Sequence, residues 1–275
     1  MSQLNRYLRV LMVFARNSLI RSMMFRANFI LECISNLAWV VLNLGFYVLI
    51  FHYTPEIGRG TGWSEYPYFV FLATLQFIYS LVEAFLMPNV EEFSDLVRNG
   101  DLDFALLKPI DTQFLVSLAK FDWSALSNFV FAAGLLAFGL IHMDYHPSLG
   151  VILLYPLYIA CGVAILYSLT IVLAATTVWL GRNQSIYDFW FYITNFSRYP
   201  LEIYSGPMGA PLQFVFTFLV PVLVVVNVPA RFLAKPLTAG DWRLALFALA
   251  ATAASLAGGR WLFNRSITSY RSASS

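Results

Sequence analysis

The sequence VILLYPLYIACGVAILYSLTIVLAATTVWL, residues 151–180, contains thirty residues and no charged side chain. A helix needs about 20 mostly apolar residues to cross the hydrocarbon core of a bilayer. This segment is long enough to span with tilt, or with a kink near Pro156. Strands of a membrane barrel alternate over about 10 residues, so the run length favours a helix. The segment therefore indicates an all-α membrane protein.

Further apolar runs lie on both sides of this segment. They cover residues 29–51, 66–87, 123–141 and 244–263. Another apolar zone, residues 186–228, is too long for one span and too interrupted for two good ones. Its interruptions are Arg198, Pro200, Glu202, Gly206, Pro207 and Pro211.

The distribution of basic residues predicts how these spans are oriented. The first 28 residues carry five arginines and no acid, and Arg260, Arg265 and Arg271 lie near the other end of the chain. Basic residues next to spans stay on the cytoplasmic side. Two cytoplasmic termini require an even number of crossings, and six fits. We therefore expect a multi-pass protein of the cytoplasmic (inner) membrane with both termini in the cytoplasm.

The composition of the whole chain agrees with a membrane solvent. Of its 275 residues, 59% are hydrophobic and only 12% are charged, about half the charged share of soluble domains. The formal charge is +2 and the basic residues are scattered, so binding to nucleic acid is not expected. Two cysteines inside apolar runs, Cys33 and Cys161, exclude a disulfide-stapled module. We expect one membrane domain over residues 1–275.

Residues 3–21 precede the first apolar run and have the periodicity of an amphipathic helix. The pattern is typical of a helix that lies in the interface plane, with its arginines against anionic membrane lipid. The alternative is a basic topology signal with no further task. The apolar side consists of Leu4, Tyr7, Leu8, Leu11, Ala15 and Leu19.

The connection NVEEFSDLVRNGDLDFALLKPIDT, residues 89–112, is the most polar stretch of the chain and holds six of its fifteen acids. Apolar residues recur at helical spacing and predict a short amphipathic helix over 90–99, which Gly100 would end. One interpretation is a solvated loop. An apolar stripe among dense carboxylates instead favours docking onto another protein. The stripe consists of Val90, Phe93, Leu96 and Val97.

The sequence lacks the motifs of several chemistries. We find no GxxxxGK[ST] phosphate loop, GxSxG elbow, HExxH or paired CxxC. His142, Asp144 and His146 could collect a metal ion, but this spacing also arises by chance and no fourth ligand is visible. We therefore predict no catalytic, cofactor or metal site in this chain, and an enzyme is the weaker class.

Two charges fall within predicted spans, where ionisable groups are functional candidates. Glu83 and Lys120 lie at similar depth, roughly 10 Å from the inner end of their segments at ~1.5 Å per residue. One hypothesis is that they pair and link spans two and three. The alternative is that each extends to the inner surface.

The last apolar run carries small residues every four positions, a spacing that lets helices approach closely. These are Ala251, Ser255 and Gly259 on one row and Ala250, Ala254 and Gly258 on the next. The pattern predicts tight packing without naming the neighbour.

Four segments together resemble the permease subunit of ABC-2-type exporters, in a compact class without a fused ATPase. They are GDLDFALLKPID (100–111), SRYPLEIY (197–204), VPARFLAKP (228–236) and the terminal YRSASS (270–275). The plan of such permeases covers essentially the whole chain.

This resemblance implies a complete architecture of six transmembrane helices. The N-terminal interfacial helix is 3–21, a cytoplasmic coupling helix lies between spans two and three, and residues 207–232 form a re-entrant outer element between spans five and six. Hydropathy alone would instead choose residues 212–228 as span five. The spans are expected at about 29–51, 66–87, 115–141, 151–180, 186–205 and 244–263.

The resemblance also assigns roles to residues. The segment 90–101 would contact a separate ATPase, with the coupling residues Val90, Glu91, Glu92, Phe93, Asp95, Leu96, Arg98 and Asp101. Candidates for the transport path or the re-entrant element are Arg198, Pro200, Glu202, Pro221 and Pro229. Aromatic candidates for the lining are Tyr47, Phe77, Trp123, Phe191 and Tyr192.

The implied function is an ATP-driven exporter of an amphipathic or hydrophobic cargo. Two permeases, identical or sister chains, would form the path, and ATP and magnesium would bind the partner ATPase. Two other functions remain open, a membrane-embedded lipid-modifying enzyme and a structural or assembly subunit that does not transport.

Overall fold

A computed structural model describes residues 3–58, 60–180 and 184–270, and all regular structure within these ranges is helical. The first half of the chain forms six helices: α1 (Gln3–Met24), α2 (Arg26–Tyr53), α3 (Glu65–Phe85), α4 (Met87–Asn99), α5 (Leu102–Leu106) and α6 (Thr112–Ser117). The second half forms α7 (Leu126–His142), α8 (Leu149–Leu180), α9 (Gln184–Asn195), α10 (Ala210–Phe214), α11 (Val222–Ala234) and α12 (Ala239–Ser269).

Four helical segments are long and apolar enough to cross a bilayer, and α3 and α4 together form one of them. A fifth candidate is a pair of helices, Ala210–Leu219 and Val222–Ala234, which meet at 90°. Helix α7 is apolar but shorter. The predicted all-helical membrane class is therefore confirmed, while the six-span count is not. The four long segments are Arg26–Tyr53, Glu65–Asn99, Leu149–Trp179 and Ala239–Ser269.

Helix α3 lies at the centre of the bundle. Its most apolar window is 78% buried, whereas that of α2 is only 6% buried. Helix α3 packs against α7, α8 and α11, and α11 is buried along almost its whole length. The apolar surface of α2 is therefore left for lipid or another chain.

Helices α8 and α12 pack closely along each other, and the row of small residues that ends at Gly259 faces inward as predicted. The other row, Ala250, Ala254 and Gly258, is exposed. A Cβ atom on Gly259 would lie 3.5 Å from the Cα of Ser168. On the opposite side of α8, a Cβ atom on Gly162 would lie only 2.9 Å from the carbonyl oxygen of Val225 in α11. Helix α8 continues through Pro156 without a break.

The predicted third span, 115–141, differs in the structure. Helix α7 begins at Leu126, after an irregular stretch over residues 118–125. Side chains replace the helical hydrogen bonds here: Asn89 accepts from the backbone N–H of Lys120 and donates to its carbonyl, both at 2.8 Å. The Asp122 carboxylate accepts from the N–H and hydroxyl of Ser124. Polar side chains therefore stabilise an irregular stretch where the resemblance implied the first part of a span.

The predicted fifth span, 186–205, is also interrupted. Helix α9 ends at Asn195, and two 3₁₀ turns follow, Phe196–Arg198 and Leu201–Tyr204. Between the two turns lies Pro200, which has no N–H to continue a helix. With twelve residues, α9 is shorter than the roughly 20 that a span requires. The 90° bend at Pro221 lies inside the segment that was expected to be re-entrant.

Candidate functional site

Helix α4 is the amphipathic helix that the sequence predicted between the second and third apolar runs. It begins with Pro88 in its first turn, where a missing N–H is tolerated. It ends at Gly100, whose φ of 80° is left-handed and favours glycine. The predicted termination at Gly100 is therefore confirmed.

The apolar stripe of α4 faces the interior of the same chain. Phe93 is only 2% exposed, and its ring centroid lies 5.7 Å from that of Phe263 in α12. Val90, Leu96 and Val97 pack against the same cluster. The stripe that suggested docking is thus occupied within the chain, and a partner would have to contact the opposite face.

The opposite face of α4 is charged and exposed. Asp95 and Arg98 form an ion pair of 3.0 Å, with side chains 58% and 71% exposed. Asp101 is also exposed, just beyond the helix. Glu91 lies in α4, but its side chain lies outside the described part of the structure. Surface pairs of this kind contribute little to stability, so these charges are free to serve recognition.

Helix α5 adds an apolar surface that the sequence analysis missed. Leu102 and Ala105 face inward, while Phe104 is 67% exposed and Leu107 is 81% exposed. The sequence carried a signal in the i, i+3 spacing of Phe104 and Leu107, which puts them on one side of a helix. All four residues are apolar, so the sequence alone does not say which pair is exposed. The burial of Leu102 and Ala105 in the structure shows that Phe104 and Leu107 form the exposed side.

Asp111 joins the segment after α5 to two distant helices. Its carboxylate caps α6 by accepting from the N–H of Phe114 at 2.9 Å, and it forms an ion pair with Arg260 of α12. Its own N–H donates to the hydroxyl of Tyr7 in α1 at 3.2 Å. The hydrogen bonds from Arg260 lower the pKa of the Asp111 carboxyl below its usual value.

The hypothesised pair between Glu83 and Lys120 is wrong. The Lys120 ammonium contacts Glu92 of α4, because the irregular stretch 118–125 lies beside that helix. Glu83 lines an open cavity of about 530 Å³ together with residues of α1 and α2, and Lys120 lines the same cavity without pairing with Glu83.

At the other end of the bundle, Glu202 is the centre of a cluster of charges that we call the outer cluster. Its carboxylate accepts from Trp63 Nε1 at 3.0 Å, from Arg231 at 3.1 Å and from Lys235 at 3.3 Å. Arg231 also pairs with Asp241 at 3.1 Å. Burial is the main cause of a lowered pKa for Lys235.

The outer cluster joins the segment before α3, the second 3₁₀ turn, the end of α11 and the start of α12. The sequence pointed to Glu202 but not to its three partners, Trp63, Arg231 and Lys235, or to Asp241, which pairs with Arg231. The charged residues of VPARFLAKP were visible, but nothing in the sequence indicated that they meet Glu202.

The remaining path candidates lie in different environments. The guanidinium of Arg198 lies over the rings of Tyr79 and Phe191, at 5.3 and 5.4 Å. Pro200 lies between the 3₁₀ turns, Pro221 precedes α11 and Pro229 lies inside that helix. The 3₁₀ segment is held to α11 by Asn227, which accepts from the N–H of Leu201 at 2.7 Å.

The aromatic lining candidates are scattered rather than grouped around one path. Tyr47 packs on Tyr68 at 4.9 Å between ring centroids, and Phe77 is buried against Phe129. Trp123 donates to the carbonyl of Ala15 in α1. Phe191 and Tyr192 are exposed on α9. In the described ranges, no group of three or more His, Cys, Asp or Glu residues could hold a metal ion.

Comparison with known families gives a match over most of the chain. The model of a family described as ABC-2 family transporter protein matches residues 37–274. No curated protein and no solved structure matches the chain significantly. The family match confirms the resemblance drawn from the four sequence segments.

Proposed function

Because the chain belongs to the ABC-2 family of transporter proteins, we propose that it is the permease subunit of an ATP-driven exporter, coupled to a separate ATPase. The family is a membrane component of transporters and is not itself catalytic. Its apolar helices indicate a multi-pass membrane protein. On this proposal, ATP and magnesium bind the partner, and this chain converts the partner's movement into a change of the membrane path.

The coupling surface is the observation that carries this proposal. One face of the α4–α5 segment is anchored in the bundle by Phe93 and Leu102, which are 2% and 0% exposed. The other face presents Phe104 and Leu107 beside the exposed charges of Asp95, Arg98 and Asp101. Apolar anchors with a polar rim are typical of protein interfaces. A rigidly anchored segment also transmits force instead of bending.

The path itself would require a second permease, either identical or a sister chain. The window of α2 that is only 6% buried offers a continuous apolar surface for such a contact. We propose an amphipathic or hydrophobic cargo, in keeping with the long apolar helices of the bundle. The basic N-terminal segment supports an inner-membrane location with both termini in the cytoplasm.

The coupling surface can be tested with the double substitution Phe104→Asp and Leu107→Asp. Both side chains are exposed, so the fold should persist while the apolar anchors are lost. We expect recovery of the ATPase with the tagged permease to fall about tenfold or more, which corresponds to the loss of one or two interface anchors. ATP hydrolysis by the purified complex should lose its dependence on the permease.

A matched control is Leu149→Asp, because Leu149 is 73% exposed and begins α8 at the opposite end of the bundle. This variant should recover the ATPase as the wild type does. Normal recovery of the ATPase with the double variant would contradict the proposed coupling surface. Turnover of a lipid by the purified chain without any ATPase would contradict the function itself.

A further inference from the structure

A polar cavity of about 530 Å³ lies between the end of α1, the first turns of α2 and the junction of α3 with α4. Its volume falls within the roughly 300–1,000 Å³ of small-molecule sites. Five of its lining side chains carry charge, which is unusual beside a long apolar helix. They are Arg21, Glu32, Glu83, Lys120 and Asp122.

Three of these charged groups already have partners in the chain. The Glu32 carboxylate accepts from Asn28, Lys120 pairs with Glu92, and Asp122 accepts from the N–H and hydroxyl of Ser124. Arg21 and Glu83 have no hydrogen-bond or ion-pair partner among the described residues. One arginine and one glutamate without a hydrogen-bond or ion-pair partner in the described part of the chain therefore line the same cavity.

The lining of the cavity lies near the start of α2, the first helix that is long and apolar enough to cross a bilayer. Glu32 lies six residues after the start of α2 at Arg26, about 9 Å along the helix at ~1.5 Å per residue. The headgroup regions add roughly 5–8 Å on each side of the ~30 Å hydrocarbon core. The amphipathic helix α1 forms one wall of the cavity through Ser18 and Arg21.

A neighbouring cavity of about 420 Å³ continues the first one toward the surface of α2. It shares Arg21, Ser22 and Glu32 with the first cavity and adds Phe25 and Phe29 to the lining. Phe25 is 67% exposed at the junction of α1 and α2. The polar space thus opens beside aromatic side chains that suit an acyl chain.

We propose that this cavity binds the headgroup of an inner-leaflet aminophospholipid of the phosphatidylethanolamine type. Arg21 contacts the phosphate, and Glu83 accepts hydrogen bonds from the primary amine. A phosphate without an amine would face three carboxylates, Glu32, Glu83 and Asp122, beside only two basic groups, Arg21 and Lys120. A cation without a phosphate would leave Arg21 unpaired. A zwitterionic headgroup offers a phosphate to Arg21 and an amine to Glu83. Hydrogen bonds that involve an ionised group are stronger than those between neutral groups.

The test uses the full-length protein in nanodiscs that contain equal amounts of phosphatidylethanolamine and phosphatidylglycerol. Native mass spectrometry after release into mild detergent counts the lipids that remain bound. The wild type should retain phosphatidylethanolamine in preference to phosphatidylglycerol. Glu83→Gln should lower that preference about tenfold by removing one charge-assisted bond. Arg21→Gln should lower retention of both lipids.

Matched controls separate the site from general effects of charge. Arg16→Gln changes another exposed arginine of α1, and Glu65→Gln changes the glutamate at the other end of α3. Both should retain lipid as the wild type does. Glu83→Asp keeps the carboxylate and should restore part of the preference, which a merely structural role of Glu83 would not explain.

Two results would overturn the proposal. The first is an unchanged preference for phosphatidylethanolamine in Glu83→Gln, or equal retention of both lipids by the wild type. The second is displacement of the bound lipid by soluble glycerophosphoethanolamine at equal concentration, which would assign the site to a soluble ligand. The experiment contains no ATPase, so its outcome is independent of the coupling surface proposed above.

Discussion

The Asp111 carboxylate shows how one residue can hold the proposed coupling segment, α4 and α5, in place. It caps α6 and pairs with Arg260 of α12, while its backbone N–H reaches Tyr7 of α1. The motif around it, LLKPID, contains a proline that interrupts helical structure and an aspartate that starts the next helix. Asp111 therefore connects the end of the proposed coupling surface to a long apolar helix.

This contact predicts a pH dependence of stability. The pKa of Asp111 is lowered in the folded protein from its ordinary value of 3.8. A carboxyl with a lowered folded pKa stabilises the fold above its unfolded pKa, and this contribution is lost as pH falls through the folded pKa. The side chains of Arg260 and Asp111 are 45% and 31% exposed. We therefore expect their ion pair to contribute about 1 kcal/mol or less to the free energy of unfolding.

Asp111→Asn should therefore lower the free energy of unfolding slightly at pH 7. Below about pH 4, the free energy of unfolding of the variant should fall less steeply with pH than that of the wild type, because this carboxyl no longer titrates. Thermal unfolding of wild type and variant in the same nanodiscs across pH measures both effects. The control Asp95→Asn changes an aspartate in an exposed pair and should leave the curve almost unchanged. If the stability of Asp111→Asn and wild type depended on pH in the same way, the stabilising role of the Asp111 carboxylate would be contradicted.

At the scale of elements, periodicity in the sequence located α4 and its end at Gly100, because both depend on neighbouring residues. The span that the resemblance implied over 115–141 differs from the structure at residues 118–125, where the side chain of Asn89, thirty-one residues from Lys120, forms hydrogen bonds with the backbone. Periodicity also failed to show that Phe93 packs on Phe263. Long-range contacts decided these cases.

The packing of α8 against α11 gives a prediction at this scale. Gly162→Ala would place a methyl group 2.9 Å from the carbonyl oxygen of Val225, and backbone cannot move aside as a flexible side chain can. We expect a loss of about 1–3 kcal/mol in stability, the usual effect of overpacking a core. Thermal unfolding followed by size-exclusion chromatography in detergent measures this loss.

Gly134→Ala is the matched control for that substitution. Gly134 lies in α7, and no atom beyond its local backbone lies within 4 Å of a Cβ atom built there. Alanine favours a helix over glycine by about 1 kcal/mol at most, so this variant should be equal to wild type or more stable. Equal stability of both alanine variants would show that α8 and α11 are farther apart than described.

For the whole molecule, the two ends of the bundle carry different kinds of polar structure. One end holds α1, the α4–α5 segment and the cavity proposed to bind a lipid headgroup. The other end holds the outer cluster around Glu202, whose partners Arg231 and Lys235 have side chains only 23% and 18% exposed. Removing one member of such a cluster leaves another charge unpaired, so the cluster ties its four segments together.

The proposed orientation, with both termini in the cytoplasm, predicts which end of the molecule faces the cytoplasm. In a background without Cys33 and Cys161, Asp101→Cys should react with a membrane-impermeant maleimide only after cells are opened. Asp144→Cys, in the connection between α7 and α8, should react in intact cells. This result is expected because basic segments next to spans stay on the cytoplasmic side of the membrane, which places both termini there. Labelling of Asp101→Cys in intact cells would place the coupling surface out of reach of any ATPase.

The sequence by itself determined that this is a helical membrane protein, where its long uninterrupted apolar segments lie and where the short amphipathic helix ends. These properties depend on composition and on periodicity between neighbours. Only the tertiary structure decided which face of α4 is free, that Lys120 pairs with Glu92, and that Glu202 gathers Trp63, Arg231 and Lys235. These contacts join residues far apart in the chain, and the energy of each depends on burial that no local pattern records.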